Sequence, residues 1–196
     1  RQLLRRALDG RQAALGPGDP KTLVYVSNLA SLAHDRGDLA TALALRQRVY
    51  GGRASALGAN HLKTLTAAHD LARCCLAQND LAGALEHVDT ALKGREAQLG
   101  KDHKDTLYTA GNLASLLSDQ GDHATALPLE RRVLAGREAL RGAEHPHTLL
   151  AVNNLARTLQ ELDQLDEAEA LYHRALAGEE ARHGPTHPAT VAAVWN

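Results

Sequence analysis

The sequence predicts an all-α protein built from one helical hairpin repeated along the chain. Three observations carry this: a fixed 42-residue period, helical spacing of apolar residues within each period, and a core composition of Ala and Leu. Of the 196 residues, 44% are hydrophobic, yet there is no Phe, no Met, one Trp and four Tyr. Small and γ-branched side chains must therefore do the packing. That favours close helix-to-helix contact over a sheet of β-branched and aromatic residues.

The period is read from identical columns. Thr22, Thr64, Thr106, Thr148 and Thr190 fall 42 residues apart, as do Gly16, Gly58, Gly100, Gly142 and Gly184. Leu29, Leu71, Leu113 and Leu155 form a third column, each followed by alanine (Ala30, Ala72, Ala114 and Ala156). Ala42, Ala84, Ala126 and Ala168 form another. The predicted organisation is a single array over residues 1–196. In it 1–15 is helix B of a preceding repeat, 16–57, 58–99, 100–141 and 142–183 are repeats 1 to 4, and 184–196 is helix A of a truncated repeat. An array open at both ends, beginning at Arg1, reads as a piece of a longer chain or complex.

Within repeat 1, helix A is expected from about Thr22 to Arg36, with Leu23, Val26, Leu29, Ala30 and Ala33 on one face. Asp19 and Pro20 supply a cap and a first-turn proline. Gly37-Asp38 breaks the helix, and helix B follows from about Leu39 to Leu57, ended by Gly58. The break becomes Asn79-Asp80, Gly121-Asp122 and Asp163-Gln164 in later repeats. A further column, Gly10, Gly52, Gly94, Gly136 and Gly178, lies inside helix B. Mid-helix glycine costs about 1 kcal/mol relative to Ala. Its recurrence predicts a neighbouring helix backbone passing unusually close, the alternative being a bend in helix B.

Function classes narrow with charge and motif. Lys and Arg number 22 against 23 Asp and Glu, a net of -1, so no basic surplus points to nucleic acid. No apolar run is long enough to insert in a membrane, and "RQLLRRALDG" is no signal peptide. The adjacent Cys74 and Cys75 suit no disulfide framework, which predicts a cytoplasmic, reducing compartment. They replace apolar residues of other repeats and read as core.

"GAEHPHTLLAVNNLA" (Gly142 to Ala156) brings together the residue types of a metal or catalytic cluster. The repeat explains them otherwise. His61, His103, His145 and His187 share one column, one per repeat. Packed helices lie about 8–10 Å apart, too far for a metal with bonds near 2.1 Å to gather such residues. They read as loop histidines packing or hydrogen-bonding at the turn before helix A. The threonine column reads as hydroxyls satisfying free N–H groups at the helix start. A nucleophile is needed once, not five times. No phosphate loop, nucleotide fingerprint or one-off catalytic cluster appears, so neither enzyme activity nor a cofactor is expected.

The pattern G-x-x-H-P-x-T-L…N-N-L-A…G-D…A-L…R-E-x-x-L-G resembles the tetratricopeptide repeat, in the 42-residue form of kinesin light chains. Gly100 to Gly142 and "HPHTLLAVNNLARTL" carry it most clearly. The aromatic after the Ala42 column is kept only at Tyr172, with Arg46, Val88 and Glu130 elsewhere. The resemblance implies a right-handed superhelical α-α solenoid whose helices A line a concave groove that binds a protein or peptide.

The family's groove positions fall on Ser27, His69, Gly111, Asn153 and Trp195, and on Ser31, Arg73, Ser115 and Arg157. One turn earlier stand Val24, Thr66, Tyr108 and Leu150. Arg73, Tyr108, Asn153, Arg157, His69, Ser27, Ser31 and Ser115 are thus the candidate peptide-binding residues. Asn bonds backbone, Arg pairs with carboxylates, and Tyr offers an apolar face. The adjoining column, Asn28, Asp70, Asn112 and Asn154, reads as polar ties between hairpins or as further ligand contacts. Two other readings stand beside the scaffold. One is an architectural segment packing through end residues such as Trp195 or Leu3-Leu4, and the other is a sensor array regulating an attached signalling ATPase.

Overall fold

The computed structural model describes residues 2–184, so the expected final helix A, with His187 and Trp195, lies outside the described residues, as do the side chains of Leu3 and Leu4. Described residues form α1 (Gln2–Leu15), α2 (Pro20–Asp35), α3 (Leu39–Leu57), α4 (Leu62–Ala77), α5 (Leu81–Leu99), α6 (Lys104–Asp119), α7 (His123–Arg141), α8 (Pro146–Glu161) and α9 (Leu165–His183). They divide into an N-terminal unit ending at Gln98 and a C-terminal unit beginning at Leu99. In the first, α1 packs on α2, α2 on α3 and α3 on α4. In the second, α6 packs on α7, α7 on α8 and α8 on α9, while α6 also touches α8.

Three local devices set the helix ends. The first is the cap of helix A. Asp19 accepts from the Lys21 N–H, so α2 begins at Pro20, earlier than the threonine suggested. The histidines take over that role: Nδ1 of His61, His103 and His145 each accepts a backbone N–H, from Lys63, Asp105 and His147, at 3.1 Å. The column is a set of helix caps. An imidazole serves because its neutral form keeps one acceptor nitrogen.

The threonines do something else. Thr64 Oγ1 donates to the Gly58 carbonyl at 2.8 Å and Thr148 Oγ1 to the Gly142 carbonyl at 2.9 Å. The expected role as acceptors for free N–H groups is therefore corrected: they tie the start of helix A to the end of the preceding helix B. The equally buried hydroxyls of Thr22 and Thr106 make no hydrogen bond.

The second device is the left-handed residue after helix B. Gly58 and Gly142 adopt φ of 92° and 86°, and their N–H groups return to the Ala54 and Glu138 carbonyls. The third is the turn within each hairpin. Gly37, Asn79, Gly121 and Asp163 all take positive φ there, and Asp38, Asp80 and Asp122 cap the next helix through a side-chain oxygen. Gln164 makes no such bond.

The core is as small-sided as the composition required. Ala30, Ala42, Ala68, Ala84, Ala110, Ala126 and Ala156 are 0% exposed. Val26, Leu29, Val49 and Ala67 form one cluster of the N-terminal unit, with Tyr25, Leu45 and Tyr50 packed against it. Ala33, Ala42 and Cys74 form another. Cys74 and Cys75 are buried free thiols, and burial raises both pKa values, that of Cys75 to about 11.

The glycine column has a different partner from the one expected. A Cβ on Gly52 would meet both δ-carbons of Leu23 at 2.9 Å. Leu65, Leu107 and Leu149 stand in the same way over Gly94, Gly136 and Gly178. It is thus a leucine side chain from helix A of the same hairpin, not a neighbouring backbone, that fills the notch. Gly10, with nothing within 4 Å of its Cβ position, does not share the contact.

Candidate functional site

The residues singled out above fall into two separate settings. In the N-terminal unit the organising group is Arg46 of α3. Its guanidinium donates to Asp70 Oδ2 at 2.8 Å, to Ser31 Oγ at 2.9 Å and to Ser27 Oγ at 3.3 Å. Ser27 and Ser31 sit one turn apart on α2, and Asp70 is on α4, so one arginine ties three helices. Asp70 thus acts as the inter-hairpin tie that its column suggested. Arg73 is exposed at the edge of a cavity of about 120 Å³, shared with Ser31, His34, Asp35, Arg46, Asp70 and Cys74. His69, one residue before Asp70, is only 5% exposed. Burial pushes its pKa down to about 4, reinforced by Arg95 and Arg73 and opposed by Asp70, so its ring is neutral at pH 7.

In the C-terminal unit, Tyr108 and Ser115 of α6 line a larger cavity of about 340 Å³. Its other walls include Glu130 and Arg137 of α7 and Leu150 and Asn154 of α8. Asn153 is half-buried on α8 and is not among the lining residues. Arg157 is exposed and pairs with Asp119 at 3.4 Å. Arg137 donates to the His147 carbonyl at 2.7 Å, which places it across the gap between α7 and α8.

Glu130 was visible in the sequence only as a lost aromatic. Here it is 4% exposed, and neither carboxylate oxygen meets a donor at full hydrogen-bond geometry, although the Thr158 hydroxyl lies near enough to favour the charged form. Burial raises its pKa to about 7, against smaller opposing effects of the Thr158 hydroxyl and the Arg157 guanidinium. The signal that could have found it is the column itself, in which Arg46, Val88, Glu130 and Tyr172 differ in charge at a position facing helix A.

One column has a shared exposure. Val24, Tyr108 and Leu150, equivalent residues of three helices A, are 50%, 49% and 52% exposed. Among the described residues no group of three His, Cys, Asp or Glu side chains could hold a metal ion. His145 and His147, the pair closest to a chelate in sequence, stack at 5.3 Å, and His145 Nδ1 is occupied by its cap. No described helix is long and apolar enough to cross a membrane.

Hairpins that repeat one packing frame, carrying polar and apolar side chains that vary on helix A, define a helical-repeat protein. The chain belongs to the tetratricopeptide repeat family, whose profiles match residues 24–97, 80–139 and 148–189. Its fold is that of kinesin light chain-like repeats. A Podosopora anserina kinesin light chain-like protein with nearly identical TPR-like repeats superposes with a TM-score of 0.80 at 25% identity, covering 93% of this chain and 86% of that one. BtubC (BKLC) from P. vanneervenii matches at TM-score 0.82 and 23% identity over 95% of this chain and 74% of its own. MamA shares the fold alone, at TM-score 0.65 and 14% identity over 90% of this chain and 87% of its own. No curated relative matches the sequence. Repeats of this family are generally non-catalytic scaffolds for protein interaction.

Proposed function

We propose that the chain holds a partner protein through an extended or helical segment laid along its helices A, in the groove that such repeats form. The observation that carries this reading is the exposed apolar column Val24, Tyr108 and Leu150. These side chains recur at one position of the repeat, the core does not use them, and Tyr108 and Leu150 border a cavity. Apolar groups rimmed by polar ones mark binding surfaces. Arg73 in the N-terminal unit, and Arg157 and Asn153 in the C-terminal unit, would each supply polar contacts within their own unit, the arginines to carboxylates and the asparagine to peptide backbone. Recognition needs no chemistry, only a rigid frame that offers side chains from several repeats. Two buried free thiols with no disulfide suit a reducing compartment.

The test is affinity capture from the native source with the wild-type chain. Beside it runs a triple variant, Arg73→Ala, Asn153→Ala and Arg157→Ala, of unchanged helicity by circular dichroism. The expected result is a partner held by the wild type and lost by the variant. Equal retention by both would overturn the assignment of these residues.

A further inference from the structure

Arg46 and Glu130 occupy the same position of the repeat, two periods apart. Around Arg46 stand three acceptors, Ser27, Ser31 and Asp70, and the guanidinium satisfies all three. Around Glu130 the corresponding residues are Gly111, Ser115 and Asn154. Two acceptor-bearing side chains are kept, the third is reduced to hydrogen, and the cation has been replaced by another acceptor. Neither oxygen of Glu130 meets a donor at full hydrogen-bond geometry, the Thr158 hydroxyl nearby being the one side-chain donor that favours its charge, and the cavity of about 340 Å³ runs past Gly111, Ser115, Glu130 and Asn154. A buried carboxylate so poorly supplied with donors is costly, and the cost is recovered when a further donor arrives. The volume sits at the lower end of ligand pockets, which span about 300–1,000 Å³.

We propose that this cavity is a socket for a guanidinium, into which a partner segment inserts an arginine side chain that Glu130, Ser115 and Asn154 hold as Ser27, Ser31 and Asp70 hold Arg46. The inference rests on the scaffold reading and names the side chain recognised. Charges facing the socket set its context. Lys104 and Tyr108 from α6, Arg137 and Arg141 from α7 and His147 from α8 line it, and Arg157 of α8 acts on Glu130 from nearby. A bare cation would be repelled by this basic rim. An arginine flanked by acidic residues would not, because its neighbours meet the rim while its guanidinium meets the floor. Burial holds Glu130 partly protonated near neutral pH, so an incoming cation displaces that proton and binds more tightly as pH rises.

The experiment uses capped peptides, acetyl-Glu-Ala-Arg-Ala-Glu-amide and the same peptide with citrulline for arginine, titrated against the chain and followed by amide NMR shifts. The expected result is at least about tenfold tighter binding of the arginine peptide, a difference that grows from about pH 6 to pH 8. Glu130→Gln should abolish the difference. Glu130→Arg, which rebuilds the Arg46 arrangement, should abolish binding of both while leaving the helical spectrum unchanged. Equal binding of the two peptides, no binding of either at millimolar concentration, or discrimination that survives Glu130→Gln would overturn the socket. The partner-capture experiment judges the scaffold reading separately, since a captured partner with no arginine discrimination refutes the socket alone.

Discussion

Gly52 lies beneath Leu23 so closely that a methyl group on it would meet both leucine δ-carbons at 2.9 Å. Leu23 is 1% exposed, and a methyl group on Gly52 would have to push its δ-carbons out of the notch they fill, toward a cavity of about 310 Å³ that Leu23 borders. Gly52→Ala should therefore destabilise the protein by about 1–3 kcal/mol, overpacking outweighing the gain of about 1 kcal/mol in helix propensity. The control is next door. Gly51 has nothing within 4 Å of its Cβ position, so Gly51→Ala should stabilise by up to about 1 kcal/mol. Urea denaturation of the two variants checks both signs, and destabilisation by both would refute the packing account.

His103 caps α6 through Nδ1. His103→Ala should cost about 1 kcal/mol, while His103→Asp should keep most of the stability, because Asp19 performs this function at the same position of the repeat. Equal loss in both variants, by thermal denaturation, would show that the imidazole contributes packing and not a cap.

The Arg46–Asp70 pair is partly buried, with side-chain exposures of 14% and 26%. Asp70→Ala alone leaves the arginine two serine acceptors and should cost about 1 kcal/mol. Arg46→Met leaves Asp70 without its cation and should cost about 1–3 kcal/mol. A double-mutant cycle should show a positive coupling between the two, and additive losses would mean that the contact carries no net stability.

Two buried groups push pH dependence in opposite directions. His69 has a folded pKa lowered from 6.5 to about 4. Its contribution is therefore fully present above about pH 6.5 and is lost as pH falls toward 4, up to about 3 kcal/mol. Glu130 has a folded pKa raised from 4.5 to about 7. Its contribution is greatest below about pH 4.5 and is lost as pH rises through 7, of order 2–3 kcal/mol. Denaturation measured from pH 4 to pH 8 should show His69→Gln flattening the acid limb and Glu130→Gln the neutral limb. A neutral limb unchanged by Glu130→Gln would mean that its carboxyl is not held protonated.

By itself the sequence determined what repetition makes local. The 42-residue columns set the order of the helices among the described residues, and the bounds of α3 coincide with those read from Leu39 and Leu57. Capping at Asp19, the stop at Gly58 and the Ala and Leu core follow from backbone geometry and side-chain size, which act within a few residues. The tertiary structure alone decided which groups meet. That Leu23 fills the notch of Gly52, that threonine bonds a carbonyl where an N–H was expected, and that histidine is the cap all depend on how one hairpin closes. Ser27 and Ser31 turned out to serve Arg46, and Tyr108 and Ser115 to border the cavity of Glu130. Periodicity shows where a side chain recurs. Whether a charge there is satisfied depends on atoms arriving from other helices, and a column of single letters holds no record of them.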